Sequence, residues 1–450
     1  MRALFDALAD ALADLARPGE LIAATLDAEG SEFVRWNGAR LRQAGRVERA
    51  VARLRLVDGE RQAFHAVTLP GLAAGRDAVT AVVREALDAL RPAVAQAEPD
   101  PLLDVNRGAD VLDDAGPAPW FDRAAFVETV AAAAGDADLV GFCAAGPVAR
   151  GFCSSAGARL WHARGRIAFD WSIHLPHDAA AGGARKAVKA DWSGAALDVD
   201  ALAAAIARSR ADAEVLARPV RRLAPGERRV LLAPRAFADL VELLGWGGFS
   251  ARAQRSGQSP LARLRDGRAR LSPRLTLAED LDAGFAPPFQ ADGHPRPRRT
   301  VLVDAGLAGD ALVSPRSARE FGLRSNAASD HEAPESLRVA PGELAAGDAL
   351  ARLGTGLAVS NLWYLNWADR NGGRATGMTR FACLWVEDGA PVAPVEAMRF
   401  DDSVYRLLGD SLEALGDVAH PMPSTDTYDG RALGGIEAPA ALLSSMRFAL

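Results

Sequence analysis

The first half of the chain runs through one layout twice, and that repetition narrows the available folds more than any other feature. Leu4, Leu8, Leu12 and Leu15 recur at helical spacing before Pro18-Gly19 ends the run. Four strand-like runs follow, near 20–27, 31–44, 48–57 and 61–69. In the third, Ala52, Leu54 and Leu56 alternate with Val51, Arg53 and Arg55, and Asp58-Gly59 supplies a hairpin turn. A helix then carries Val79, Val82, Val83, Leu87 and Leu90, with Pro92 predicted to stop it. Residues 93–119 are rich in Pro, Asp and Gly and read as a connector. The pattern restarts at Asp122, placed to N-cap a helix bearing Phe126, Val127 and Val130. Strand-like runs near 137–145, 148–154, 158–163 and 166–173 come next, then a helix from about Asp198 with Leu202, Ile206 and Leu216 along one stripe. Helix, four strands and helix, twice over, predicts an α+β domain with an internal duplication across residues 1–219.

Beyond Pro219 strands and turns dominate. One helix stands out, roughly 235–245, with Phe237, Leu240, Val241 and Leu244 on one side. Candidate strands are 228–232, 300–304, 357–361, 380–387 and 391–399, and Glu387-Asp388-Gly389 reads as a hairpin turn. Nothing from 265 to 345 is periodic enough to assign. Residues 220–450 therefore read as a β-rich second domain, and the overall class as α+β.

Charge excludes some functions. The net charge is −6 with both signs mixed along the chain, and the arginine clusters Arg221-Arg222, Arg228-Arg229 and Arg296-Pro297-Arg298-Arg299 are short, so the footprint of a nucleic-acid binder is missing. The N-terminal segment is an acidic amphipathic helix with Asp6, Asp10 and Asp14, unlike a signal peptide. No apolar run reaches about eighteen residues, so no membrane span is expected. Three cysteines, Cys143, Cys153 and Cys383, do not make a disulfide framework. A cytoplasmic protein is expected.

A search for catalytic constellations returns little. His331-Glu332 is the only His-Glu pair, but the position a turn later is Glu335 and Pro334 disfavours a helix, so His331 reads as a solvated loop residue. His174 and His177 could chelate a surface metal but lack a third ligand. Gly151-Phe152-Cys153-Ser154-Ser155 resembles a nucleophile loop without matching Gly-x-Ser-x-Gly; Cys153 reads first as a small buried residue, with a Cys153/His162 pair as the alternative. Gly245-Trp246-Gly247-Gly248 lacks the Lys-Ser/Thr of a phosphate loop and reads as a helix C-cap and turn. Trp363, Tyr364 and Trp367, with Asn361 and Asn366 between, either fill a core or line a groove for a peptide or partner.

The order of segments in the second half carries a resemblance. Leu231-Leu232-Ala233-Pro234 precedes a helix; Ser272-Pro273-Arg274-Leu275-Thr276-Leu277, Pro288-Phe289-Gln290-Ala291-Asp292-Gly293 and Thr300-Val301-Leu302-Val303-Asp304-Ala305-Gly306 follow. Next come Ser317-Ala318-Arg319 with Gly322, Leu337-Arg338-Val339-Ala340-Pro341-Gly342, Gly356-Leu357-Ala358-Val359, Thr376-Gly377 and Leu384-Trp385-Val386-Glu387-Asp388-Gly389, and the series closes on Leu442-Leu443-Ser444-Ser445-Met446-Arg447-Phe448. This sequence of elements is similar to the C-terminal domain of the TldD/PmbA family. Val34-Arg35-Trp36-Asn37-Gly38 and Ser154-Ser155-Ala156-Gly157 extend the similarity more loosely into the first half.

The resemblance implies a two-domain α+β protein in which TldD-like and TldE-like (PmbA) subunits pair and cleave unstructured peptides. The zinc-bearing branch carries His-Glu-x-x-x-His on the helix after the Leu-Leu strand, and those positions fall here at Ala233, Pro234 and Ala238. No cysteine follows Cys383 to act as a third ligand. The expectation is a TldE-like, non-catalytic subunit that binds no metal itself, with zinc in a TldD-like partner. The dimer would form with that paralogue or with a second copy, and an extended peptide would be held by strand addition. Asn361, Trp363, Tyr364, Trp367 and Gly377 are the candidate peptide- or partner-binding residues. A stand-alone peptide binder, or a hydrolase rebuilt on Cys153 and His162 or on His174 and His177, remains as the alternative.

Overall fold

Strand-forming residues of the first half pair into one seven-stranded sheet. The computed structural model describes residues 1–118, 120–176 and 186–449. Helix α1 (Arg2–Leu15) leads into β1 (Glu20–Asn37), β2 (Arg40–Asp58), β3 (Arg61–Thr68) and α2 (Arg76–Gln96). After β4 (Val111–Ala115), the layout repeats as α3 (Arg123–Ala134), β5 (Asp138–Ser154), β6 (Arg159–His174), β7 (Ala187–Gly194) and α4 (Val199–Leu216). The strand order is β3-β2-β1-β5-β6, with β4 and β7 sharing the outer edge of β6. The two hairpins thus meet back to back along β1 and β5, which are antiparallel.

The repeat is helix, three strands, helix rather than helix, four strands, helix. Adjacent predicted runs fuse because the residues that look like breaks lie inside continuous ladders: Gly146 pairs with Arg166, and Pro147 with Gly165. Gly146 has a φ of 125°, and a Cβ there would lie 2.3 Å from the Gly30 carbonyl oxygen, so two backbones meet where a side chain has no room. Pro92 does not stop α2, because Leu90 and Val94 on either side are both buried on its apolar stripe. That burial offsets the lost backbone hydrogen bond. Within the predicted connector 93–119, Val111–Ala115 pairs in parallel with β6. Asp122 and Asp198 cap their helices, accepting from the amides of Ala125 and Ala201 at 3.0 and 2.9 Å.

All four long helices cover one face of this sheet. Leu8 and Leu12 of α1 and Val83 and Leu87 of α2 pack on Ile22, Ala24, Leu26 and Leu54. Phe126 and Val130 of α3 and Leu202 and Ile206 of α4 pack on Val34, Trp36, Phe169 and Trp171. Each such buried side chain contributes roughly 1.5–3 kcal/mol. Alternation then sends Asp27, Glu29, Ser31, Phe33 and Arg35 to the opposite face.

The second half forms two further sheets. One runs β11-β10-β9-β12-β19-β18, from β9 (Leu277–Asp280), β10 (Arg299–Asp304), β11 (Leu307–Ala308), β12 (Ser336–Val339), β18 (His420–Pro423) and β19 (Gly435–Ala438). The other contains β8 (Gly226–Leu232), β13 (Gly356–Asp369), β14 (Arg374–Glu387), β15 (Ala390–Pro394), β16 (Arg399–Ser403), β17 (Leu412–Leu415) and β20 (Ala441–Phe448). Its order is β13-β8-β20-β16-β14-β15, and pairing of β13 with β14 closes the first five into a ring. Helix α5 (Pro234–Glu242) packs Phe237, Leu240 and Val241 into the core beside that ring, as its predicted stripe requires, and Leu244 joins them from the turn that follows. The helices α6 (Ala251–Arg255), α7 (Ala262–Arg265), α8 (Pro315–Phe321) and α9 (Ala349–Leu353) are short. Asp388 and Gly389, with φ of 49° and 79°, form the expected β14–β15 turn. The predicted strand 391–399 is too long: β15 ends at Pro394, and β16 begins only at Arg399. The predicted strands 357–361 and 380–387 are parts of the longer β13 and β14. Among the described residues, no helix is long and apolar enough to cross a membrane.

Candidate functional site

Strand β8 ends at Leu232, and Ala233 takes an extended conformation as N-cap of α5. Pro234 at the first helical position loses nothing by lacking an N–H. The Ala233 amide donates to the Val359 carbonyl at 2.9 Å, tying the helix start to β13. Ala238 is closed off in the core. The outward face of α5 carries Arg235, Asp239 and Glu242. Arg235 Nε lies 3.3 Å from Asp191 Oδ1 on β7, and Asp239 Oδ2 accepts from the Leu362 amide at 3.2 Å. Burial raises the Asp239 carboxyl to about 6, against the opposing pull of Arg235.

Beside this helix lies a cleft of 640 Å³, with Arg235, Glu242 and Trp246 on one wall and Arg150, Glu335 and Asp426 on the others. Arg150 reaches it from β5 and is fixed by Asp27 at 2.7 Å. Glu335 is held by Arg296, which also pairs with the buried Glu279. The cleft continues through a 360 Å³ space to a 500 Å³ pocket over the helix-free face of the first sheet, with lining residues shared at each junction. Along β1 this groove follows Asp27, Glu29, Ser31, Phe33 and Arg35, about 26 Å of strand.

Residues 424–434, joining β18 to β19, lie across the groove. Arg431 pins them: its amide donates to Glu29 Oε2 at 3.2 Å, and its guanidinium donates to Ser31 Oγ and to the carbonyls of Gly146 and Arg166 at 3.3, 2.9 and 3.2 Å.

The five sequence-predicted binding residues do not converge on this groove. Asn361 is buried, its Oδ1 accepting from the Ser360 hydroxyl at 2.8 Å. Trp367 packs against the core of the second half. Gly377 lies under Phe400, where a Cβ would come within 2.7 Å of the ring. Trp363 and Tyr364 are 45% and 69% exposed and meet edge to face at 4.2 Å, with the Arg380 guanidinium 3.6 Å from the Trp363 ring centroid. They form a separate surface patch at a bulge in β13, where Tyr364 has a φ of 53°.

The alternative catalytic pairs fare no better. Cys153 pairs across the ladder with Arg159 and His162 with Arg150, so alternation puts the thiol and the imidazole on opposite faces. Burial pushes the Cys153 thiol well above its ordinary value, against thiolate formation. His331 is exposed, whereas Glu332 is buried and accepts from Ser250 and Ser314. His174 ends β6, and His177 lies outside the described residues. Among the described residues, no three His, Cys, Asp or Glu side chains converge as a metal site would require.

His162 is fully buried with Nδ1 2.8 Å from Asp114 Oδ2, as a neutral imidazole donating to the carboxylate. Burial, reinforced by Arg164, depresses its pKa from 6.5 to about 4 despite Asp114. The unfolded chain therefore takes up this proton first, so the stability it contributes is complete above pH 6.5 and lost as pH falls toward 4. Urea unfolding should show a pH-dependent loss of about 3 kcal/mol over that window that is absent from His162→Gln.

A family model described as the PmbA/TldA metallopeptidase C-terminal domain matches residues 225–450. The chain belongs to the TldD/PmbA family. Solved structures share the fold at low identity. A candidate modulator of a DNA gyrase from Thermotoga maritima aligns with a TM-score of 0.76 and 14% identity, covering 99% of this chain and 100% of that one. TldE from Thermococcus kodakarensis gives 0.73 and 15%, covering 96% and 97%. A candidate DNA gyrase modulator from Bacteroides thetaiotaomicron gives 0.71 and 15%, covering 100% and 98%. No curated protein matches the sequence. Ala233 and Ala238 present methyl groups and Pro234 an amide nitrogen within a ring, so these residues do not fit a zinc ion.

The groove residues Asp27, Phe33, Arg35 and Arg150 were not singled out from sequence. A partial signal was available in β1, where Asp27, Glu29, Ser31 and Arg35 alternate with Ala28, Gly30, Val34 and Trp36, but Glu32 and Phe33 interrupt the pattern.

Proposed function

We propose that this chain is a non-catalytic, TldE-like subunit that pairs with a zinc-bearing TldD-like paralogue in the cytoplasm, in a complex that cleaves unstructured peptides. One observation carries the reading: a long groove persists beside α5, while the helix positions that would hold zinc and a general base are Ala233, Pro234 and Ala238. The groove crosses a sheet face, so side chains rather than a free strand edge would meet the peptide. Trp363 and Tyr364 offer a surface for the partner.

Tagged chain coexpressed with an His-Glu-x-x-x-His paralogue should retain it through purification. Metal analysis should then find zinc in the pair and only traces in the isolated chain. Peptide hydrolysis by the isolated chain with a stoichiometric metal would end the proposal. A stand-alone peptide-binding protein is the second reading, favoured by the length of the groove, about 26 Å along β1, which would take an extended segment. A homodimer that binds peptide and retains no paralogue would select it.

A further inference from the structure

The far end of the groove differs in chemistry from the rest. Its 500 Å³ pocket has Phe33, Phe142 and Val47 as apolar walls and Arg35 and Arg49 as cations. The two phenylalanine rings stack at 6.2 Å, and the Arg35 guanidinium lies 5.4 Å from the Phe142 ring centroid. Two glycines make space for this arrangement. A Cβ on Gly45 would come within 2.8 Å of the Phe33 ring, and one on Gly430 within 2.6 Å of Arg49 Nη1.

Arg49 stands opposite Glu29 in the β1–β2 ladder without an ion pair between them. Glu32 is paired with Arg123 and Glu48 with Arg46, while Glu29 Oε2 accepts from Ser31 and from the Arg431 amide. Among the described residues neither Arg35 nor Arg49 makes an ion pair. Glu29 and Asp429 also face the pocket, so its cationic excess suits one carboxylate and disfavours a polyanion.

We propose that this pocket binds the C-terminal end of a peptide, with Arg35 and Arg49 on the terminal carboxylate and Phe33 and Phe142 around a hydrophobic last side chain. The inference rests on the peptide-groove reading above and adds a polarity to it: the peptide's C-terminus lies over β1 and β5, and its N-terminal part points toward α5. A carboxylate on an internal Asp or Glu side chain would supply the charge without the apolar group that the walls enclose.

The test is fluorescence anisotropy with the full chain and an N-terminally labelled octapeptide of alternating alanine and serine ending in leucine. It would be used as the free acid, as the C-terminal amide, and as an amide ending in glutamate. The free acid should bind about tenfold more tightly than either amide, the size of one charge-assisted contact. The double variant Arg35→Gln, Arg49→Gln should erase that preference, so that acid and amide bind it equally. Equal binding of acid and amide by the wild-type chain would overturn the pocket assignment and leave the groove reading standing. Absence of binding by all three would overturn both. Tighter binding of a labelled oligothymidylate than of the free acid would overturn the assignment in favour of nucleic acid.

Discussion

Replacing Arg296 by methionine is expected to cost about 3–5 kcal/mol of stability, because it strands a charge that has no other cationic partner among the described residues. Glu279 is 2% exposed, pairs with Arg296, and accepts from the amides of Glu335 and Ser336 at 3.0 and 3.1 Å. Burial already pulls its pKa upward against the attraction of Arg296. Without the guanidinium the carboxylate must either stay ionised in a poor medium or take up a proton, and both are unfavourable. Urea denaturation should show a lower midpoint with an unchanged slope. The double variant Arg296→Met, Glu279→Leu should recover part of the loss, since no charge is then left alone. A loss under about 1 kcal/mol for the single variant would contradict the assigned pairing. Arg296 also holds Glu335 on the wall of the main cleft, so the same substitution should loosen the groove.

Glu332→Ala is expected to be the next most damaging change, at about 3 kcal/mol, with Glu332→Gln costing roughly half as much. This one carboxylate accepts from the Ser250 hydroxyl at 2.5 Å, the Arg252 amide at 2.9 Å, and the Ser314 amide and hydroxyl at 2.9 and 3.0 Å. Ser250 and Ser314 are the N-caps of α6 and α8, so a single buried side chain braces the starts of two helices. Burial pushes its pKa up, yet these donors outweigh that and hold it below the ordinary glutamate value. Alanine leaves four donors without their acceptor, whereas glutamine keeps one carbonyl oxygen for them. Thermal unfolding of the two variants beside wild type would rank the losses. Equal losses for alanine and glutamine would show that charge, rather than acceptor count, matters at this position.

Glu332 also shows where sequence reading stopped. In the sequence it stands only as the Glu of an incomplete His-Glu motif, and His331 reads as a solvated loop residue, which matches its exposure. The acceptor role of Glu332 joins it to residues 250–252 and 314, and no local pattern encodes a contact between segments so far apart. The α5 stripe was legible because Phe237, Leu240 and Val241 repeat every turn and face one core. Strand lengths in the first half were not, because Gly146-Pro147 carries the composition of a turn but sits inside a ladder. The aromatic segment 361–367 was conspicuous by composition alone. Only the bulge in β13 separates the exposed Trp363 and Tyr364 from the packed Trp367.

The ring in the second half also bears on how fast this molecule can form. Its strands β8 and β20 are adjacent in space yet come from opposite ends of that half, and β13 and β14 must pair before the circuit is shut. Bringing such remote segments together carries a chain-entropy cost before any of the pairing is repaid, so acquisition of this half should be slow and governed by topology. Until it is complete, the unpaired Leu231-Leu232 and Leu442-Leu443 runs are exposed and prone to association with other chains.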